Sequence, residues 1–118
     1  MKVQVYFNLH RKLWSIKALE GINKNKVIGH AETVSLVDVI PKVSEAGRQR
    51  VLKEKSKNVH AGLVGQLLQT DTVLKDFKDF KEITYNPYRY NTFVYKDNLK
   101  EYKGSKVAYL ADKKVFTY

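Results

Sequence analysis

The chain has 118 residues, 43% of them hydrophobic and 29% charged, which suits one compact domain and is too short for two separate cores. Its formal net charge of +10 comes from 22 Lys and Arg against 12 Asp and Glu, a balance that attracts polyanions such as nucleic acid, nucleotides or an acidic protein surface. With no cysteine in the chain, disulfides, thiolate metal sites and cysteine nucleophiles are excluded, and a reducing cytoplasm is the expected location.

The first residues alternate like a strand: Val3, Val5, Phe7 and Leu9 share one face and Gln4, Tyr6 and Asn8 the other. They do not read as a signal peptide, and no apolar run reaches the ~18 residues of a membrane span. After the polar turn His10-Arg11-Lys12, the face Trp14, Ile16, Ala18 predicts the return strand of a hairpin. Val27 to Ile40 is a long β-branched stretch in which Val34 and Leu36 hold one phase and Val37 and Val39 the other, so a bulge is expected near Leu36. Pro41 is expected to end ladder pairing. Ser44 can cap a helix with Glu45 in its first turn, running to about Lys57 and stopping at Asn58.

Beyond that helix, Val59, Ala61, Leu63, Gly65 and Leu67 share one parity and predict a strand. Thr70 or Asp71 is placed to cap a second, short amphipathic helix, with Val73, Leu74, Phe77 and Phe80 at helical spacing. Asn86-Pro87 marks a turn in an aromatic stretch, Phe93 to Tyr95 begins another strand, and Lys106–Leu110 with Val115–Tyr118 reads as a terminal hairpin. No repeat, low-complexity tract or linker divides the chain. The reading is a single α+β domain over residues 1–118, mostly antiparallel β-sheet, with one basic helix and one short amphipathic helix.

Two constellations carry binding chemistry. On the first helix, Arg50, Lys53 and Lys57 form a basic stripe at spacings of three and seven, opposite Val51 and Leu52. At 1.5 Å rise per residue such a stripe spans ~10 Å, matching successive phosphates of a nucleic-acid backbone or a nucleotide. A solvated helix face is the plain alternative. Arg48 and Lys55 lie nearer the apolar face, where their stems run along the core edge. The second constellation is Tyr85, Tyr88, Arg89, Tyr90 and Tyr95, in which aromatic rings beside a cation can stack on bases; simple cover for a sheet face is the competing reading.

Catalytic signals are thin. His60 follows the basic helix and could serve a phosphodiesterase as general acid or base, although a sheet histidine bonded to its neighbours is commoner. His30-Ala-Glu32 has half of a zinc-deaminase signature, but the cysteine ligands are missing. Gly62-Leu-Val-Gly65 has the spacing of a backbone-clamping loop, with apolar central residues that fit a buried strand better. No phosphate loop, nucleophile elbow or paired-histidine metal site appears, so neither a cofactor nor a metal is expected.

The opening MKVQVYFNLHRK (residues 1–12) and the segment GRQRVLKEKSKNVHA (residues 47–61) resemble a group of small tailed-bacteriophage proteins with no assigned activity. The resemblance covers about the first half of the chain. It implies a phage origin and a bacterial host cytoplasm, and it carries over no catalytic residue. Together these readings predict a non-enzymatic phage accessory protein that binds a phosphate-rich partner, nucleic acid first, through Arg50, Lys53, Lys57 and His60, with Tyr88 and Arg89 stacking. The alternatives are a counter-defence or host-takeover protein that sequesters a signalling nucleotide or blocks an acidic host protein, and, below that, a phosphodiesterase using His60.

Overall fold

The computed structural model describes residues 1–55, 61–72 and 79–118. Among them run nine strands and one helix: β1 (Lys2–Asn8), β2 (Leu13–Ala18), β3 (Val27–Ala31), β4 (Thr33–Val43), α1 (Glu45–Glu54), β5 (Ala61–Thr70), β6 (Lys81–Thr84), β7 (Val94–Tyr95), β8 (Ser105–Ala111) and β9 (Lys114–Thr117). All the strands join one sheet in the order β3-β2-β1-β5-β4-β8-β9-β6-β7, with every neighbouring pair antiparallel. The expected α+β architecture dominated by antiparallel sheet is therefore what forms.

Alternation decides which face is buried. Val5 lies opposite Ile16 of β2 and Leu63 of β5, and none of the three is more than 4% exposed. Burying such a side chain contributes roughly 1.5–3 kcal/mol. The same apolar face continues through Leu36 and Leu110 to Val115 and Ile83 in one core cluster. Trp14 of β2 and Val115 of β9 belong to that cluster although four strands separate theirs in the sheet. Lys113, in the turn between β8 and β9, reaches to 5.6 Å from the centre of the Phe7 ring in β1. A flat sheet could not bring these together; this one coils about its apolar face, in the sense that strand twist favours.

The bulge predicted near Leu36 is present. Pairing of β4 with β5 shifts register between Ser35 and Leu36 and again between Val37 and Ile40, and Asp38 between them takes a positive φ of 53°. The extra residue moves the buried phase from Leu36 to Val39, which are 0% and 2% exposed. Here two glycines give the backbone room. A Cβ on Gly65 would lie 2.8 Å from the Val37 carbonyl oxygen, and one on Gly104 2.7 Å from that of Val39.

Several expectations are corrected. The Val27–Ile40 stretch is divided at Glu32 into β3 and β4. Pro41 does not end pairing: it faces Leu63, and β4 continues to Val43. The β8 side of β4 has stopped pairing at Val39, so this part of β4 is an edge on one flank, where a missing N–H is tolerated. Helix α1 starts at its Ser44 cap as expected, Gly47 N donating to Ser44 Oγ at 3.1 Å, but ends at Glu54 because Lys55 turns left-handed at φ 54°. Among the described residues there is one helix rather than two. The expected second helix falls mostly on residues 73–78, outside the described residues; its proposed caps are otherwise engaged, Thr70 closing β5 and Asp71 Oδ1 accepting from Glu32 N at 2.9 Å. Phe80, expected in its apolar stripe, stacks on Tyr118 with ring centres 5.5 Å apart.

Among the described residues Tyr102 is the largest fully buried side chain. Its hydroxyl shares a 2.7 Å hydrogen bond with Ser105 Oγ, and its ring meets Tyr95 edge-on at 5.8 Å. Burial pushes its phenol up to about 12 from an ordinary 10.0. An unfolded chain therefore ionises this group first. Its stabilising effect is fully present below pH 10 and is lost as pH rises towards 12. Alkaline unfolding curves of the parent and Tyr102→Phe should accordingly differ in slope within that window, the variant losing less stability. A second expectation concerns the bulge. Gly65→Ala should lower stability by about 1–3 kcal/mol through overpacking, whereas Gly29→Ala, where a Cβ meets nothing within 4 Å, should not destabilise; thermal unfolding of both checks the contrast.

Candidate functional site

Helix α1 is short and mostly polar, so its position depends on a few contacts. Gly47 and Val51 are its buried residues. Arg48 supplies the directional fastening: its Nε donates to the Tyr90 carbonyl at 3.1 Å, while its Nη1 lies 3.2 Å from Glu45 Oε1. Gln49 Nε2 donates to the same carboxylate at 2.9 Å. That hydrogen bond, with the Arg48 charge, holds the Glu45 carboxyl below its ordinary value. Tyr85 lies close to both charges, and burial raises its phenol. Its ring is tilted against Phe93, the centres 5.3 Å apart.

The turn that receives Arg48 is built by Asn86. Its carbonyl accepts from Arg89 N and Tyr90 N at 3.0 and 2.8 Å, and its Oδ1 accepts from Tyr88 N at 2.9 Å, the side-chain turn that asparagine favours. Tyr88 and Arg89 are thereby held on the surface, Tyr88 55% exposed. Arg48 and Arg89 line one open concavity together with Glu45, Tyr90 and Glu101, a mixture of charges that gives no net preference for an anion.

The site residues expected from sequence separate accordingly. Arg50 and Lys53 are exposed on α1; at 100° per residue they lie about 200° and 140° round from Arg48, away from the turn. Tyr88 and Arg89 occupy the turn on the other flank. No direct contact joins the two sets among the described residues; Arg48, an element of the fold and not of the stripe, ties their supports together. Lys57 and His60 lie outside the described residues. Among the described residues no group of three His, Asp or Glu side chains is placed to hold a metal ion.

Two smaller readings also resolve. His30 Nδ1 lies 3.0 Å from Ser15 Oγ, which also accepts from Asn8 Nδ2 at 3.3 Å. Ser15 is fully buried, so His30 is held by a hydrogen-bond chain that runs into the sheet. Gly62 and Gly65 are packing sites within β5; a Cβ on Gly62 would run into the Val5 carbonyl.

What sequence reasoning missed is a cleft of about 540 Å³ on the core side of the coiled sheet. Its walls include Phe7, Trp14, Leu63, Ile83, Tyr85 and Phe93. Trp14 sits edge-on to Phe7, ring centres 5.2 Å apart, and its buried Nε1 has no acceptor among the described residues, at a cost of about 1–3 kcal/mol. These residues come from segments far apart in sequence; alternation marks Phe7, Trp14 and Leu63 as apolar strand positions, while Tyr85 falls among the stacking candidates. The one available signal was the cation pair Lys113-Lys114 inside a predicted hairpin turn.

Among the described residues no helix is long and apolar enough to cross a membrane. No solved structure matches the chain. A curated protein from Mycobacterium phage L5, described as "Gene 82 protein", is 41% identical over 118 residues, covering 95% of this chain and 91% of its own length. The family model described as Mycobacterium phage L5 gene 82 protein matches residues 1–118, so the resemblance extends past the first half to the whole chain. The chain belongs to the family of the Mycobacterium phage L5 gene 82 protein.

Proposed function

We propose that the protein is a non-enzymatic phage accessory protein that binds a phosphate-rich partner, nucleic acid first, across the surface formed by α1 and the Asn86–Tyr90 turn. The observation that carries this reading is the state of its cations. Of the described lysines and arginines, only Arg48 and Lys96 stand in ion pairs with other described residues. Arg50, Lys53 and Arg89 are exposed with no such partner. Surface cations that no ion pair neutralises add to an attractive field and release counterions when phosphates neutralise them.

The division of the stripe from the turn favours a long partner over a single nucleotide. Arg50 and Lys53 point away from the flank that holds Tyr88 and Arg89, so a backbone of several phosphates can reach both while one nucleotide cannot. Tyr88, exposed at the tip of a turn fixed by Asn86, offers a face on which a base can stack, an interaction worth roughly 1–3 kcal/mol.

The test is a salt series on fluorescent duplex and single-stranded oligonucleotides with the parent protein and an Arg50→Gln, Lys53→Gln, Arg89→Gln variant. None of these residues is buried, so circular dichroism should be unchanged. Each phosphate that a cation neutralises on duplex adds ~0.9 to the slope of log affinity against log salt, so removing three cations should make that slope shallower by about 2.7. A folded variant with the parent's slope would remove this surface from the binding site. No binding of either nucleic acid at low salt would overturn the reading.

A further inference from the structure

The cleft in the coiled sheet has features that neither core packing nor polyanion binding uses, and the geometry points to a site for an amphipathic monoanion: an apolar chain or ring that ends in one carboxylate or similar group. Its volume of about 540 Å³ falls within the usual range for small-molecule sites. The walls are aromatic and aliphatic, and the backbone polar groups behind them are largely engaged in strand ladders. Such walls complement an apolar body and offer little to a sugar or a polar base.

The charge at the rim sets the rest of the ligand. Five charged residues line the cleft: Glu82, Lys96, Asp112, Lys113 and Lys114. Glu82 and Lys96 offset one another at 3.0 Å. Against the one remaining acid, Asp112, stand Lys113 and Lys114, which leaves a single uncompensated cation, the complement of one negative charge and not of a polyphosphate.

The turn that carries these residues is unusual in a way that fits this role. Ala111 pairs with Lys114, so Asp112 and Lys113 form a two-residue hairpin loop, and both have positive φ, 50° and 63°. Such loops favour Asn-Gly or Asp-Gly because a side chain at the second position is strained. Here a lysine takes the glycine position, and its Nζ comes to 5.6 Å from the centre of the Phe7 ring. An ammonium held over an aromatic face at the cleft wall is preset to meet an anion whose apolar part lies among Phe7, Trp14 and Phe93.

Trp14 is the only tryptophan in the chain, so its emission reports directly on the cleft. Titration of the whole protein with decanoate should give a saturable change in Trp14 fluorescence at one ligand per protein, while decanol, with the same apolar body and no charge, should bind more weakly. The double variant Lys113→Glu, Lys114→Glu alters two exposed residues. It should weaken decanoate about five- to tenfold, the scale of partly screened charge pairs, and leave decanol unchanged. Absence of a saturable change with decanoate, equal affinity for the acid and the alcohol, or a folded double variant that binds decanoate as the parent does would each overturn the assignment. These outcomes are independent of the salt series on nucleic acid, which reads a different surface.

Discussion

On either side of the Asp38 kink in β4, a backbone carbonyl approaches a neighbouring segment so closely that no side chain fits between them. Gly65 of β5 stands against Val37 and Gly104 against Val39. The rest of the architecture depends on this crowding. β4 is a central strand, paired with β5 along one side and β8 along the other, so a bend here redirects the strands on both sides. An extra residue sharpens twist locally, and the twist carries β2 and β9 towards each other across the apolar face. Among the described residues one short helix accompanies the sheet, which supplies much of its own cover.

Coiling also separates apolar from charged chemistry. The core-facing positions of the central strands converge, with Val3, Val5, Val34, Leu36 and Leu110 all fully buried, while the cations lie outside that core, in turns, on α1 and at strand positions such as Lys17 and Lys42. Little of this charge is neutralised by neighbours among the described residues. Self-repulsion among so many cations opposes compactness. Arg48 shows the other use of a cation: half hidden, bonded to the Tyr90 carbonyl, it makes a structural joint between the helix and the aromatic turn.

The aromatic residues divide in the same manner. Tyr102 and Phe93 are core, Tyr85 bridges the core and the helix, and Tyr88 stands outside. The tyrosine-rich stretch is therefore one segment passing from interior to surface and is not a single stacking platform. Its surface end owes its shape to Asn86, whose side chain and carbonyl close the turn.

By itself the sequence determined the features that depend on neighbours in the chain. Alternation marked β1 and β2; the phase change at Leu36 marked the bulge, since a buried face can switch sides only by an inserted residue; and Ser44 marked the start of α1. The helix C-terminus was misplaced because Lys55 carries no helix-stop chemistry and takes its left-handed conformation from context. Pro41 was misjudged because its tolerance depends on whether β8 extends alongside it, a matter of pairing between distant segments. For the same reason the sequence could not tell that Arg50 and Lys53 lie on one flank of the helix and Tyr88 and Arg89 on the other. Nor could it assemble the cleft, since Phe7, Trp14, Tyr85 and Lys113 become neighbours only when the sheet coils. Periodicity reports which face of an element is apolar; which elements then enclose a space is decided by strand order and twist, quantities carried by the whole sheet and by no single stretch of it.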